Sequence, residues 1–189
     1  MSLKHIMLGM LREPHSGYDI KKTFEKSLRS FWRAELSQIY PLLQKMEGEG
    51  LLTSKDSASE KGPTRRVYKR SAKGRQELQS WLLKGPVVGT ERIGYLAQTY
   101  FLANLRDDDK AIEFMEDLRT YMSDWLASLE EAEDEWRAND PGYPNELSDE
   151  AFYPQLTLDL GLTKLRASVD WCDRSIERIR ARQSDRHVG

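Results

Sequence analysis

The chain has 189 residues, of which 39% are hydrophobic, enough for one domain or two small ones with buried cores and too apolar for wholesale disorder. Charged residues make up 32%, mean hydropathy is -0.70, and neither an apolar run of ~18 residues nor an export-type N-terminus is present, so no membrane span and a cytoplasmic address are expected. The net charge of -2 conceals a division: residues 1–84 carry 17 Lys and Arg against 9 Asp and Glu, whereas residues 85–189 carry 12 against 22.

Residues 3–11 place Leu3, Ile6, Met7, Met10 and Leu11 at helical spacing, and Pro14 and Gly17 then interrupt the chain. A second short helix fits residues 18–28, with Tyr18, Ile20, Phe24 and Leu28 apolar and Lys21 and Lys22 outside. A third fits residues 35–49. There Leu36, Ile39, Leu42, Leu43 and Met46 share one face, which leaves Ser37, Gln38, Gln44, Lys45 and, at one edge, Tyr40 for the other. Pro41 requires that helix to begin shortly before it, and Gly48 and Gly50 mark its end.

Residues 51–55 and 65–70 are short and favour extended structure, and the polar segment 57–63 between them reads as a turn. This predicts a hairpin whose returning side is basic, with Lys61, Arg65, Arg66, Lys69 and Arg70. Ser71 can cap a fourth helix running through Leu78, Trp81, Leu82 and Leu83 to Lys84, and Gly85-Pro86 ends it. Three helices, a hairpin and a helix is the order of a winged helix-turn-helix, in a protein that is mainly α with a small β-hairpin.

Such a module lays one helix in the DNA major groove while basic loops grip phosphates. On that reading Ser37, Gln38, Tyr40 and Lys45 face the groove of double-stranded DNA, and Lys21, Lys22, Lys61, Arg65 and Arg66 meet phosphate. The same order of elements also serves protein-interaction modules, in which the basic wing would meet an acidic partner. A steep loss of DNA binding with salt separates the two.

Six short segments then carry a resemblance. Met7-Leu8-Gly9-Met10-Leu11, Ser16-Gly17-Tyr18-Asp19-Ile20 and Ser37-Gln38-Ile39-Tyr40-Pro41-Leu42-Leu43 come first. Glu47-Gly48-Glu49-Gly50-Leu51-Leu52, Gly62-Pro63-Thr64-Arg65-Arg66-Val67-Tyr68 and Ser71-Ala72-Lys73-Gly74-Arg75 follow in the same order. Together they resemble the PadR family of bacterial transcription regulators. More loosely, Leu158-Asp159-Leu160-Gly161-Leu162 and Asp170-Trp171 resemble the final helix of its longer members. The resemblance implies a homodimeric repressor whose effector, commonly a phenolic acid or a planar drug, weakens its hold on DNA. One departure is visible: the family often has a Lys-Arg pair late in the recognition helix, whereas Gln44-Lys45-Met46 supplies one cation.

In the acidic half, an apolar helix is expected over residues 90–104, with Ile93, Leu96, Ala97, Tyr100 and Phe101. Asp107, Asp108 and Asp109 open the next helix, where its dipole favours negative charge. Along that helix Ile112, Met115, Leu118, Met122, Trp125, Leu129, Ala132 and Trp136 step by three or four until Asn139-Asp140-Pro141-Gly142 breaks it. A last helix is expected from about residue 149 to 183. Its Leu158, Leu162, Leu165, Val169, Cys172, Ile176 and Ile179 form a seam that specifies helix–helix packing. The seam fits a dimer interface, an antiparallel hairpin within the chain, or both at once. The expected organisation is a winged-helix DNA-binding domain over 1–84 and a helical dimerisation and effector-sensing domain over 85–189. Among many rings that should be core, Trp171, one step off the seam, is the candidate contact for a small planar aromatic effector.

Nothing in the sequence reads as an enzyme. His5, His15 and His187 are not at metal spacing, Cys172 fits a small buried hydrophobe, and no phosphate loop or nucleophile elbow occurs. The carboxylates between Glu130 and Glu135 fit a solvated helix face, so neither metal nor cofactor is expected.

Overall fold

The computed structural model describes residues 3–28, 32, 34–59, 62–88 and 93–188. The chain falls into two compact units, residues 1–91 and 92–189.

Unit 1 begins with α1 (Leu3–Met10), a two-residue strand β1 (His15–Ser16) and α2 (Gly17–Thr23), whose helix widens into a single π-type turn over Phe24–Leu28. Then come α3 (Leu36–Gly48), β2 (Leu52–Ser59), β3 (Gly62–Arg70) and α4 (Ala72–Leu82). One core joins them: Met7, Leu8, Leu11, Ile20, Phe24, Ile39, Leu43, Met46, Leu51, Leu52 and Tyr68 are all buried. The 3.6-residue period of α1 and α3 is thus spent on a shared interior.

The sheet is antiparallel in the order β1-β3-β2. Leu52 pairs with Arg70 and Ser57 with Arg65, after which a bulge between Ser57 and Ser59 shifts the register. The hairpin is longer than expected, since strand pairing continues through much of the polar segment that read as a turn. The polar run Ser57-Ala58-Ser59 carries no apolar alternation that would announce a strand. β1, which pairs His15 with Tyr68 and Ser16 with Val67, had no sequence signal of its own because two residues are too few for a period. Ser71 caps α4 as expected, its hydroxyl accepting from Gly74 N at 3.0 Å and donating to Gly50 O at 2.7 Å.

Unit 2 contains α5 (Gly94–Tyr100), a tight 3-10 turn (Leu102–Leu105), α6 (Asp108–Asn139) and α7 (Asp149–Val188). Of the expected helix over 90–104, residues 90–92 lie outside the described residues, and the described part is corrected to a shorter helix followed by a 3-10 turn. Asn104 Nδ2 donates to Phe101 O at 2.9 Å and Arg106 takes a left-handed conformation (φ 52°), so the chain turns where the apolar pattern alone would continue it. No residue of α5 is buried in the chain, so burial gives the helix no reason to run longer.

α6 and α7 form the long antiparallel hairpin of unit 2. Ile112, Met115, Cys172 and Ile176 are buried together, with Leu102, Phe114, Leu118, Trp171 and Ile179 packed around them. Leu162 and Leu165 are buried as well, and Leu158 and Val169 half-buried. Of the alternatives the seam leaves open, these contacts make the antiparallel hairpin: Leu162, Leu165, Cys172 and Ile176 are covered by the chain itself. Trp171 likewise belongs to the internal cluster. Arg119–Asp173, Arg166–Glu130 at 3.0 Å and Arg180–Glu116 at 2.6 Å tie α6 to α7 along its length. The acidic face of α6 is partly paired, not simply solvated.

Candidate nucleic-acid interface

Three elements of unit 1 converge on one exposed face. The first is the entry to α2, where Ser16 and Asp19 cap the helix reciprocally. Ser16 Oγ accepts from Asp19 N at 3.2 Å, while Ser16 N and Oγ donate to Asp19 Oδ2 at 2.9 and 2.7 Å. The Ser16 hydroxyl chiefly, against a smaller opposing effect of burial, holds the Asp19 carboxyl below its ordinary range. The second is α3. Its Ile39, Leu43 and Met46 are buried, and Ser37, Gln38, Tyr40, Gln44 and Lys45 are exposed, so the split between faces is the one its spacing predicts. Gln38 also works locally, its side-chain oxygen accepting from Glu35 N at 3.1 Å at the start of the helix.

The third is the hairpin, clamped to α3 by a three-element network. Arg66 of β3 donates two bonds of 2.9 Å from its Nη2 to the carboxylate of Glu47 on α3, and its Nε donates to Ser54 Oγ on β2 at 2.9 Å. Ser54 in turn donates to Glu47. The Ser54 hydroxyl and then the Arg66 guanidinium hold the Glu47 carboxyl below its ordinary range. Burial, conversely, pushes the Tyr68 hydroxyl up.

Ser16, Tyr18, Tyr40, Arg65 and Arg66 line a hollow of about 350 Å³ between these elements. Gly17 makes it possible: a Cβ there would lie 2.6 Å from Tyr40 Cε1, so only glycine lets the ring of α3 sit against the α2 entry. That is a physical reason for the Ser-Gly-Tyr segment and for Tyr40.

The predicted contacts are not equivalent. Arg65 is exposed and makes no ion pair among the described residues. Lys22 is exposed and its Nζ stands 5.1 Å from the Tyr18 ring centroid. Lys45 is exposed and only loosely paired, 3.9 Å from Glu49. Lys21 is drawn to Glu25 at 3.4 Å and Glu35 at 3.9 Å, and Arg66 is occupied by Glu47. Lys61 lies outside the described residues. Sequence reasoning missed Lys55, which pairs with Val67 and so shares the outer sheet face with Arg65 and Lys69. Lys55 lies in the expected strand 51–55, but which residue it faces depends on the pairing register with β3, which the sequence alone does not give. The arrangement offers a helix face rich in hydrogen-bonding groups beside a strand pair studded with cations, which suits a grooved polyanion.

Elsewhere among the described residues no group of three His, Cys, Asp or Glu is placed to hold a metal ion, and no helix is long and apolar enough to cross a membrane.

Comparison with known proteins agrees with this geometry. Residues 7–80 match the Transcriptional regulator PadR-like family and residues 92–180 the Virulence activator alpha C-term family. The chain is 30% identical over 173 residues to the negative transcriptional regulator PadR of Bacillus subtilis, covering 90% of this chain and 93% of that one. The crystal structure of B. subtilis PadR with operator DNA superposes with a TM-score of 0.81 at 28% identity, over 94% of this chain and 98% of the other. Its complex with p-coumaric acid gives a TM-score of 0.74 at 30% identity, over 94% of each chain.

Proposed function

The chain belongs to the PadR family of DNA-binding transcriptional regulators, and from that premise we propose that it acts in the cytoplasm as a homodimeric repressor, reads an inverted-repeat operator and is released by a small aromatic effector. One observation carries the DNA half of the reading: the exposed polar face of α3 adjoins the cationic hairpin across the Tyr18–Tyr40 hollow. The B. subtilis relative, whose structures include complexes with operator DNA and with p-coumaric acid, supports both halves.

Ser37, Gln38, Tyr40, Gln44 and Lys45 are the proposed groove-facing set. Arg65, Lys22 and Lys55 are the proposed phosphate contacts, with Lys21 and Lys61 at the margins. Arg66 acts first as the clamp that aims the hairpin. Two-fold protein symmetry matches two-fold operator symmetry, with half-sites about one helical turn or a multiple apart. For the second copy we look to the surface the hairpin leaves uncovered. Phe152, Leu156 and Leu160 stand exposed at steps of four along the N-terminal part of α7, with Tyr153 beside them. A stripe of that length in water favours association.

Selection of bound fragments from a random DNA pool by the purified protein tests the reading directly. A common inverted repeat, bound with an affinity that falls steeply with salt, is the expected result. Bound fragments without a shared motif would leave a winged-helix module that does not read sequence.

A further inference from the structure

Gln38 stands in the first turn of α3, the part of a recognition helix that reaches base edges. It shares the outer face with four other exposed polar residues, Ser37, Tyr40, Gln44 and Lys45. Among the described residues it is the one of this set whose side chain bonds to the main chain. Its partner, Glu35 N, belongs to the residue that precedes the helix and lies outside the helical ladder, so a side chain or water has to meet it. Glu35 is itself anchored. Its carbonyl accepts from Gln38 N at 2.8 Å and from Ile39 N at 3.0 Å, and its carboxylate lies 3.9 Å from Lys21 Nζ of α2.

This bond decides which end of the Gln38 amide is available to DNA. The two ends are alike in shape, but a main-chain N–H can only donate, so the atom 3.1 Å from Glu35 N is the oxygen. The Nε2 amino group is the end left for a partner outside the chain. A glutamine with both ends turned to the groove pairs with adenine, donating to N7 and accepting from the N6 amino group. With its oxygen turned to Glu35, Gln38 meets adenine N6 with an amino group, donor against donor. Guanine offers N7 and O6, two acceptors side by side, which suit an amino group. Thymine O4 is a single acceptor and cytosine N4 a donor, so guanine is the best match of the four bases. Turning the oxygen to the groove would give up the cap of α3.

We propose that Gln38 determines specificity as a hydrogen-bond donor, held by its cap on Glu35, and selects guanine over adenine at one position of each half-site. This rests on the DNA-reading face proposed above and names the base that one residue of it reads.

Random-pool selection with the full chain, as wild type, Gln38→Ala and Gln38→Glu, tests it, followed by competition binding on the selected site with each base at each position. The position read by residue 38 is the one whose base preference Gln38→Ala flattens. Wild type should prefer guanine to adenine there by about fivefold or more. Gln38→Glu keeps an oxygen for Glu35 N and removes the donor. It should lose the guanine preference at an unchanged thermal midpoint, whatever its overall affinity. Three results would each overturn the assignment and leave the operator reading in place: adenine preferred at that position, a guanine preference that survives in Gln38→Glu, or a motif that Gln38→Ala leaves unchanged. Wild-type fragments without a shared motif would overturn both.

Discussion

Gly17 and Gly74 both occupy places where a methyl group would collide, and the two collisions differ in kind. At Gly17 the obstacle is the Tyr40 ring, 2.6 Å from a Cβ, and that ring is 44% exposed and free to swing outward. At Gly74 the obstacle is the carbonyl of Leu51, 2.2 Å away, where α4 crosses the start of β2. A backbone oxygen in a packed core cannot step aside cheaply. Gly74→Ala should therefore destabilise the protein by about 1–3 kcal/mol, read as a lower thermal midpoint. Gly17→Ala should cost much less stability yet displace Tyr40, lowering affinity for selected DNA more than for random DNA. Equal loss on both DNAs would remove Tyr40 from the groove-facing set. In the sequence Gly17 was visible only as punctuation. The contact that demands it lies 23 positions away, beyond the reach of any local pattern.

Between elements, the hairpin and α3 behave as one piece because Arg66, Glu47 and Ser54 join them, and this separates two neighbouring arginines by role. Arg65→Ala should flatten the salt dependence of DNA binding by about one unit per subunit and leave stability unchanged. Arg66→Ala should lower affinity together with stability, because it frees the hairpin and strands Glu47. Glu47 sits below its ordinary range in the folded state, so its stabilising effect is complete above that range and fades as pH falls through the folded value. The stability gap between wild type and Glu47→Gln, measured by denaturant titration, should therefore be widest at neutral pH and close below about pH 4. A gap that held constant into acid would mean the clamp does not depend on the carboxylate.

In unit 2 a period identifies a face and not its occupant. The seam of α7 was legible as spacing, whereas the identity of its partner depended on α6 folding back. Leu165 is 6% exposed, so Leu165→Glu should melt the hairpin by burying an unpaired charge. Leu156→Glu with Leu160→Glu should instead yield folded monomer, seen by sedimentation with an unchanged circular dichroism spectrum. A surviving dimer would move the interface off the start of α7. The winged-helix order was readable because most of its turns carry a Gly, Pro or cap of their own. The break in α5 was not, because its apolar residues are surface and the helical pattern continues past the point where the chain turns.

Across the whole molecule, a balance of +8 over residues 1–84 and -10 over residues 85–189 gives a nearly neutral protein with a strongly cationic part. Attraction to DNA is long-range at low salt and summed over all charges, so the acidic half subtracts from binding that depends on charge alone. It subtracts little from base contacts, which act at hydrogen-bond range. The acidic half should therefore raise the ratio of specific to non-specific affinity through its charge alone. Glu113, Asp117, Glu131 and Glu135 suit a test, since all four are exposed on α6 and none is in an ion pair among the described residues. Changing all four to Gln or Asn should leave the fold intact and tighten binding to random DNA at low salt more than binding to the selected site. The effect should vanish as the screening length drops below ~10 Å, near 0.1 M salt and above. If random and selected DNA gained equally, or the gain survived high salt, the substituted side chains would be acting locally, by contact, and the charge division would have no bearing on specificity.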